Sequence, residues 1–395
     1  MKNLRILAWD HRRATDPLRH AISAFQAQNN GVEIEIDIRP LSAFEHQGMA
    51  GAVRACDMIV YDHPFSGDVA ERELFLPLDA HMPDLLAPEH GSLYIGPSLE
   101  SYRHGGRIWG APIDGATQHA ILRADLLEKI NAAVPKSWQD AESLGRTLRQ
   151  RGMYLALPIE TPHAMLTIGA LMANMGRPWS ADPHMPVVLD SDALRTAMAH
   201  VRQLLAYCPK DTLEWNSIDV HEAMVNRDDI AYCPCVYGYA TYGEPDMRRP
   251  LSFADFAGPS APFHAGSVLG GTAIGISRHT QHPELALSFA RFMLQTHIQD
   301  GIIPENHGQP ATMQAWNNPE HDARFNGFYS AVRASMQTAW IRPRLPRYPE
   351  FQRDAGQALA RYFRDEASEK QTVDSLLALA SQLNRHAFSS RSEEP

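Results

Sequence analysis

The sequence predicts an α/β protein of two α/β lobes with open mixed sheets, and three observations carry that prediction. Two apolar runs end alike in aromatic-Asp-His: Ile6-Leu7-Ala8-Trp9-Asp10-His11 and Met58-Ile59-Val60-Tyr61-Asp62-His63. Short apolar runs with β-branched residues read as buried strands of an α/β sheet. A helical stretch and an alternating stretch lie between the two runs, which gives the strand-helix-strand order of an open α/β sheet. The length of 395 residues exceeds what one compact core holds, since cores stop growing beyond ~250–300 residues.

The first strand is followed by a helix expected to open at Asp16-Pro17, with Asp as N-cap and Pro at the first helical position. Leu18, Ile22 and Phe25 share one face, and Asn29-Asn30-Gly31 stops the helix. Val32, Ile34, Ile36 and Ile38 then alternate with Glu33, Glu35 and Asp37, as in a strand with one wet face. Residues 102–123 read as a glycine turn, a short strand, an irregular Pro112-Ile113-Asp114 crossing and a further strand. Ser137-Trp138-Gln139-Asp140 is a capping box that starts a helix carrying Leu144 and Leu148.

Helical and loop segments continue to about Tyr207, and the strand pattern returns at Gly270 to Ser277. Pro283 opens a helix with Leu285, Phe289 and Phe292 inward. A helix near 350–364 and another carrying Val373, Leu376, Ala380 and Leu383 close the fold, and Ser389 to Pro395 reads as a polar tail. Gly266, Gly270, Gly271 and Gly275 do not spell a dinucleotide fingerprint and no P-loop lysine follows, so they point to close backbone packing.

Composition narrows the function. The 36 basic and 46 acidic residues give a formal net charge of -10, and no basic stripe of a nucleic-acid binder dominates. The nearest thing, Arg342, Arg344 and Arg347, alternates with Pro343, Pro346 and Pro349 and reads as a solvated extended connection. Cys56, Cys208, Cys233 and Cys235 are too few and too irregular for a disulfide framework, so buried thiols are expected, with a Cys208 disulfide as the alternative. No run reaches the ~18 apolar residues that span a bilayer. Met1 to Arg5 lead straight into the first strand with no room for a secretory h-region, which makes a cytoplasmic location the competing expectation.

Five segments in order resemble the extracellular solute-binding proteins of ABC importers, of the carbohydrate-type family 1 group with the type II periplasmic-binding-protein fold. They are Gly106-Arg107-Ile108-Trp109-Gly110-Ala111-Pro112, Ile121 to Leu127, Pro135 to Asp140, Gly270 to Ser277 with Pro283 to Phe292, and Arg342 to Glu350. The resemblance runs nearly end to end. It implies two lobes, 1–112 plus 266–312 and 113–265 plus 313–395, with hinges near Pro112 to Asp114, Pro262 to Gly266 and Pro310. It further implies that a small polar solute is held in a cleft between the lobes, that the lobes close on it, and that an ABC permease receives it in the periplasm. A monomer without cofactor or nucleic-acid partner is expected. The runner-up is a cytoplasmic enzyme or ligand sensor on the same scaffold, acting on a small organic acid or sugar.

Ligands of open α/β sheets sit beyond the carboxyl ends of strands, so Asp10, His11, Asp62 and His63 are candidates for solute contact. Strand-end capping is the alternative for all four, because Asp bonds nearby backbone N–H groups. Trp9 and Tyr61 point away from their neighbouring Asp and suit core packing as well as stacking. By the family's order, Asp114, Gln118 and His119 follow the first crossing. Trp215, Asn216, Tyr237 and Tyr239 fall where second-lobe contacts lie, Gly271 sits in the glycine strand, and Asn306 or His307 lies at a rim. Trp179 and Trp340 are further stacking candidates, and Arg12-Arg13 leave room for an organic acid. His221-Glu222-Ala223-Met224-Val225 fails the His-Glu-x-x-His zinc pattern and no G-x-S-x-G elbow occurs, so neither a metal site nor catalytic residues are expected.

Overall fold

A computed structural model describes residues 2–46 and 48–389. Residues 390–395 of the expected polar tail lie outside the described residues. The chain divides into two compact units: Met1–Ala116, Gly270–His321 and Arg342–Pro349 form the first, and Thr117–Leu269, Asp322–Ile341 and Glu350–Pro395 the second.

In the first unit, β1 (Lys2–Trp9) pairs in parallel with β2 (Val32–Arg39) and β3 (Met58–Tyr61). Leu4, Ile6 and Ala8 of β1 pack into one core with Leu18, Ile22 and Phe25 of α1 (Arg12–Gln28). Phe289 and Phe292, on the helix Pro283–Met293, meet Phe25 edge-on with ring centroids 5.2 Å away in each case. Pro283 occupies the first turn of that helix, where its missing N–H removes no bond.

The helix α1 begins four residues earlier than Asp16. His11 is its N-cap, in extended backbone, and its Nδ1 accepts the Arg13 N–H at 3.1 Å. An imidazole thus supplies the acceptor usually given by Asp or Ser, and Pro17 falls inside the helix near its start.

A short hairpin, β4 (Arg103–His104) and β5 (Arg107–Ile108), turns through Gly105 and Gly106 at positive φ. β6 (Ala111–Leu122) follows as one unbroken strand with every residue buried, so the Pro112-Ile113-Asp114 irregularity is absent. Pro112 is tolerated because it is the second residue of the strand, where little of the ladder has formed. The chain passes from the first unit to the second within β6, between Ala116 and Thr117.

In the second unit β7 (Tyr154–Leu155) runs parallel to β8 (Ile230–Tyr237). β8 and β9 (Ser252–Ala254) are both antiparallel to the closing residues of β6. The helix Trp138–Arg149 carries the expected capping box, Ser137 with Asp140, and buries Leu144 and Leu148. Trp179 is buried edge-on against the half-buried Trp340, centroids 4.9 Å apart, so Trp179 serves the core. Val373, Leu376, Ala380 and Leu383 of the helix Glu369–Ser389 are buried as their spacing predicts.

β10 (Leu269–Ile276) returns to the first unit antiparallel to β3, giving the order β2-β1-β3-β10 followed by the opening of β6. The segment Arg342–Pro349 then re-enters that unit. It is not a solvated connection: Arg342 and Arg344 are 2% and 0% exposed. Gly67 makes room for it, since a Cβ there would overlap the Arg344 carbonyl. All four cysteines are free and buried, and the Cys208 thiol bonds the Leu204 carbonyl at 3.4 Å in place of a disulfide.

Candidate functional site

The two aromatic-Asp-His endings do emerge at one edge of the first unit's sheet, at the carboxyl ends of β1 and β3. Their residues take different parts. Asp10 is exposed and fixed through its backbone N–H to the Arg39 carbonyl at 2.9 Å. His11 caps α1. Burial, then the charges of Arg13 and Arg12, lowers its pKa to about 3, so the ring is neutral and free to accept.

That cap aims the first turn of α1 at β6. Arg13 donates from Nε to Asp114 Oδ2 at 2.8 Å and from Nη2 to Oδ1 at 2.5 Å, a two-pronged pair with both side chains buried. Burial raises the Asp114 pKa and Arg13 pulls it back; the charge of Asp62 adds to the rise. Next door, Arg12 Nη2 lies 2.7 Å from Nδ1 of His307, whose backbone is left-handed at φ 69°. Gln309 ties this loop to β6: its side chain donates to the Gly115 carbonyl at 3.1 Å and its carbonyl accepts the Gly115 N–H at 3.2 Å. Asn306 turns back to cap its own helix through the Ile302 carbonyl at 2.8 Å.

At the end of β3, Asp62 Oδ1 accepts the His63 N–H at 2.8 Å and Oδ2 accepts Arg342 Nη2 at 2.6 Å. Burial works against the charged carboxylate, but Arg342 and His63 outweigh it and hold Asp62 at about 2. His63 is fully buried; burial and then Arg342 push its pKa down to about 4, so it too is neutral. Tyr102 joins this end of β3 to β10, its hydroxyl donating to the Gly271 carbonyl at 3.2 Å. Gly271 has φ 96°, and a Cβ there would overlap the Asp114 carbonyl, so its part is close backbone approach. Thr272 beside it borders a cavity of about 20 Å³ that Trp9, Arg13, Asp114 and Gln309 also line, room for one water-sized group. Trp9 and Tyr61 settle in the core: Trp9 against Phe44 at 5.0 Å, Tyr61 between Phe75 and Tyr102.

In the second unit Gln118 is fully buried, and its Oε1 accepts the Val268 N–H at 3.4 Å. His119 is buried between Phe253 and Phe328, with centroids 5.8 and 5.3 Å away. Asn216 is an N-cap: Oδ1 accepts from Ile218 and Asp219, and Asp219 closes the capping box. Trp215 before it stays half-buried, with the Arg227 guanidinium 5.8 Å from its ring. Tyr237 is half-buried and donates to the Leu269 carbonyl at 3.2 Å, whereas Tyr239 packs into the interior on His221 at 5.5 Å.

Arg13, expected with Arg12 to suit an organic acid, instead holds Asp114, a pairing nothing in the sequence discloses. Two participants escape the sequence reading. Arg342 is hidden by its Arg-Pro alternation. Glu160, whose N–H bonds the Trp215 carbonyl at 3.0 Å, has its pKa raised to about 7 by burial and then by Asp219. Among the described residues no group of three or more His, Cys, Asp or Glu is placed to hold a metal ion, and no helix is long and apolar enough to cross a membrane.

Comparison with known proteins accords with this architecture. The maltose-bound MalE3 of T. maritima superposes with a TM-score of 0.80 at 16% identity, over 97% of this chain and 99% of that one. A solute-binding protein from Agrobacterium radiobacter K84, in complex with ribitol, gives 0.81 at 17% identity over 97% and 98%. The sugar-binding protein MalE of Xanthomonas citri gives 0.77 at 15% identity over 100% of both chains. These likenesses establish the two-lobed type II fold. A family model described as bacterial extracellular solute-binding protein matches residues 20–321, well over half of the sequence, and the chain belongs to that family.

Proposed function

We propose that the chain binds a small, polar, carbohydrate-like solute outside the cytoplasmic membrane, in the periplasm, and delivers it unchanged to an ABC-type importer, acting as a monomer. The observation that supports this best is the pairing of Asp62 with Arg342 and Asp114 with Arg13 at the carboxyl edge of one sheet. Each carboxylate is oriented by a guanidinium, which in the case of Asp62 also holds it ionised, and each keeps lone pairs for sugar hydroxyls. The neutral rings of His11 and His63 add polarity without charge. Trp215, half-buried, supplies an aromatic face of the kind that stacks on the C–H side of a sugar ring. Maltose and ribitol in the similar structures favour the same chemical class.

A thermal-shift panel of mono- and disaccharides and linear polyols tests the reading, because a ligand that binds only the folded state raises the apparent stability. At least one member is expected to raise Tm in proportion to the logarithm of its concentration and to be recovered intact. Asp62→Asn and Asp114→Asn are expected to weaken it about tenfold or more, equivalent to about 1.4 kcal/mol each, with the circular dichroism spectrum unchanged. Binding unaffected by both substitutions would return the two carboxylates to purely structural roles, and turnover of the bound sugar would overturn the non-catalytic reading.

A further inference from the structure

Five arginines are buried among the described residues: Arg13, Arg39, Arg123, Arg342 and Arg344. Four of them meet a carboxylate, Arg13 with Asp114 at 2.5 Å, Arg123 with Asp125 at 2.6 Å, Arg342 with Asp62 at 2.6 Å and Arg344 with Glu100 at 3.7 Å. Arg39, only 6% exposed, meets none. It is the last residue of β2, in register with Trp9 at the end of β1. One guanidinium nitrogen, Nη2, reaches over to the Val60 carbonyl of β3 at 3.4 Å, and the group lies 5.4 Å from the Phe44 ring. Its Nε and Nη1 are buried with no hydrogen-bond partner among the described residues.

A buried, unpaired cation is among the most expensive features a fold can carry, and neutralisation is the usual escape. Arginine lacks that escape: burial lowers the pKa of Arg39 only to about 10, so it is charged at neutral pH. Among the described residues the titratable side chain acting on it, Cys56, offers no countercharge, because burial and then Asp37 push that thiol up to about 11. The carboxyl edge to which β1, β2 and β3 all run is where open α/β sheets receive ligands. A buried surround that includes the Phe44 ring strengthens the attraction for any anion that arrives.

We propose that Arg39 is an anion-recognition site and that the solute carries an oxyanion, the carboxylate of a sugar acid or the phosphate of a sugar phosphate. This rests on the reading of the chain as a binder of carbohydrate-like solutes and narrows it. The enclosed Nε and Nη1 set the geometry: the oxyanion enters with a displacement of neighbouring side chains, and binding is correspondingly slow compared with an open site.

Isothermal titration with D-gluconate and D-glucuronate, with glucose 6-phosphate, and with the neutral counterparts sorbitol and glucose decides the matter in wild type and in Arg39→Gln. One acidic probe is expected to bind at least tenfold more tightly than its neutral counterpart, and the variant is expected to erase that preference while Tm without ligand does not fall. Preference for gluconate or glucuronate identifies a carboxylate, and preference for glucose 6-phosphate a phosphate. Equal affinity for acidic and neutral probes in wild type overturns the anion site while leaving the binding reading intact, and does so even if Arg39→Gln fails to fold. A preference that survives in Arg39→Gln places the anion elsewhere and likewise overturns the assignment. Failure of every probe, acidic and neutral, at millimolar concentration overturns both.

Discussion

At the scale of single residues the site stores its polarity in groups that cannot titrate freely. His63 is held near 4 against an ordinary value of about 6.5, chiefly by burial. Between those two values the unfolded chain takes up a proton that the folded chain refuses, so stability falls as pH drops from about 6.5 to 4. For a fully buried ring the loss is about 3 kcal/mol at the acid end, and His11, lowered to about 3, adds in the same direction. Urea midpoints measured from pH 7 to 4 are expected to fall, and His63→Gln is expected to flatten that slope; an unchanged slope would mean the ring protonates in place. Glu160 runs the other way. Its pKa is raised to about 7, so the folded state resists ionisation as pH climbs from 4.5 to 7. Glu160→Gln is therefore expected to raise Tm at pH 8 and to change it little at pH 5, a comparison that scanning fluorimetry reads directly.

Among the elements, α1 shows what the sequence disclosed and what it withheld. Its inward face was readable from the spacing of Leu18, Ile22 and Phe25, and Phe25 does sit between two rings of the helix Pro283–Met293. Phe25→Ala is expected to cost about 3–5 kcal/mol, measured by urea denaturation, because three aromatic rings lose their common contact. The start of α1 was misread because Asp16-Pro17 satisfies local capping rules, while the true cap, an imidazole, is an uncommon acceptor whose competence depends on the tertiary burial that keeps it neutral. The strand β6 was misread for a related reason: Pro and Asp both disfavour strands locally, yet Asp114 is retained there by Arg13, more than a hundred residues earlier. Strand endings, glycine approaches and capping boxes are local and therefore legible. The partner of each buried charge is set by tertiary contact, and no spacing in one sequence reports it.

For the molecule as a whole, the path of the chain matters more than any one element. The first unit is assembled from three separated segments, the last of them Arg342–Pro349, which arrives after the chain has left for the second unit and lies beyond the residues 20–321 that match the family. That short return supplies the guanidinium for Asp62 and fills the space Gly67 leaves open. The first unit thus cannot complete its carboxyl edge until nearly the entire chain is available, a long-range closure that slows folding. Arg342→Met removes one partner from a mostly buried ion pair and is expected to destabilise by about 3 kcal/mol. In Arg342→Met with Asp62→Leu the second substitution removes the stranded carboxylate, so a large part of that loss should return. A double-mutant cycle by urea denaturation measures the difference directly. Strictly additive losses would show that the return segment acts by packing alone. A positive coupling would show that the return segment also acts through the ion pair it makes with Asp62 at the end of β3.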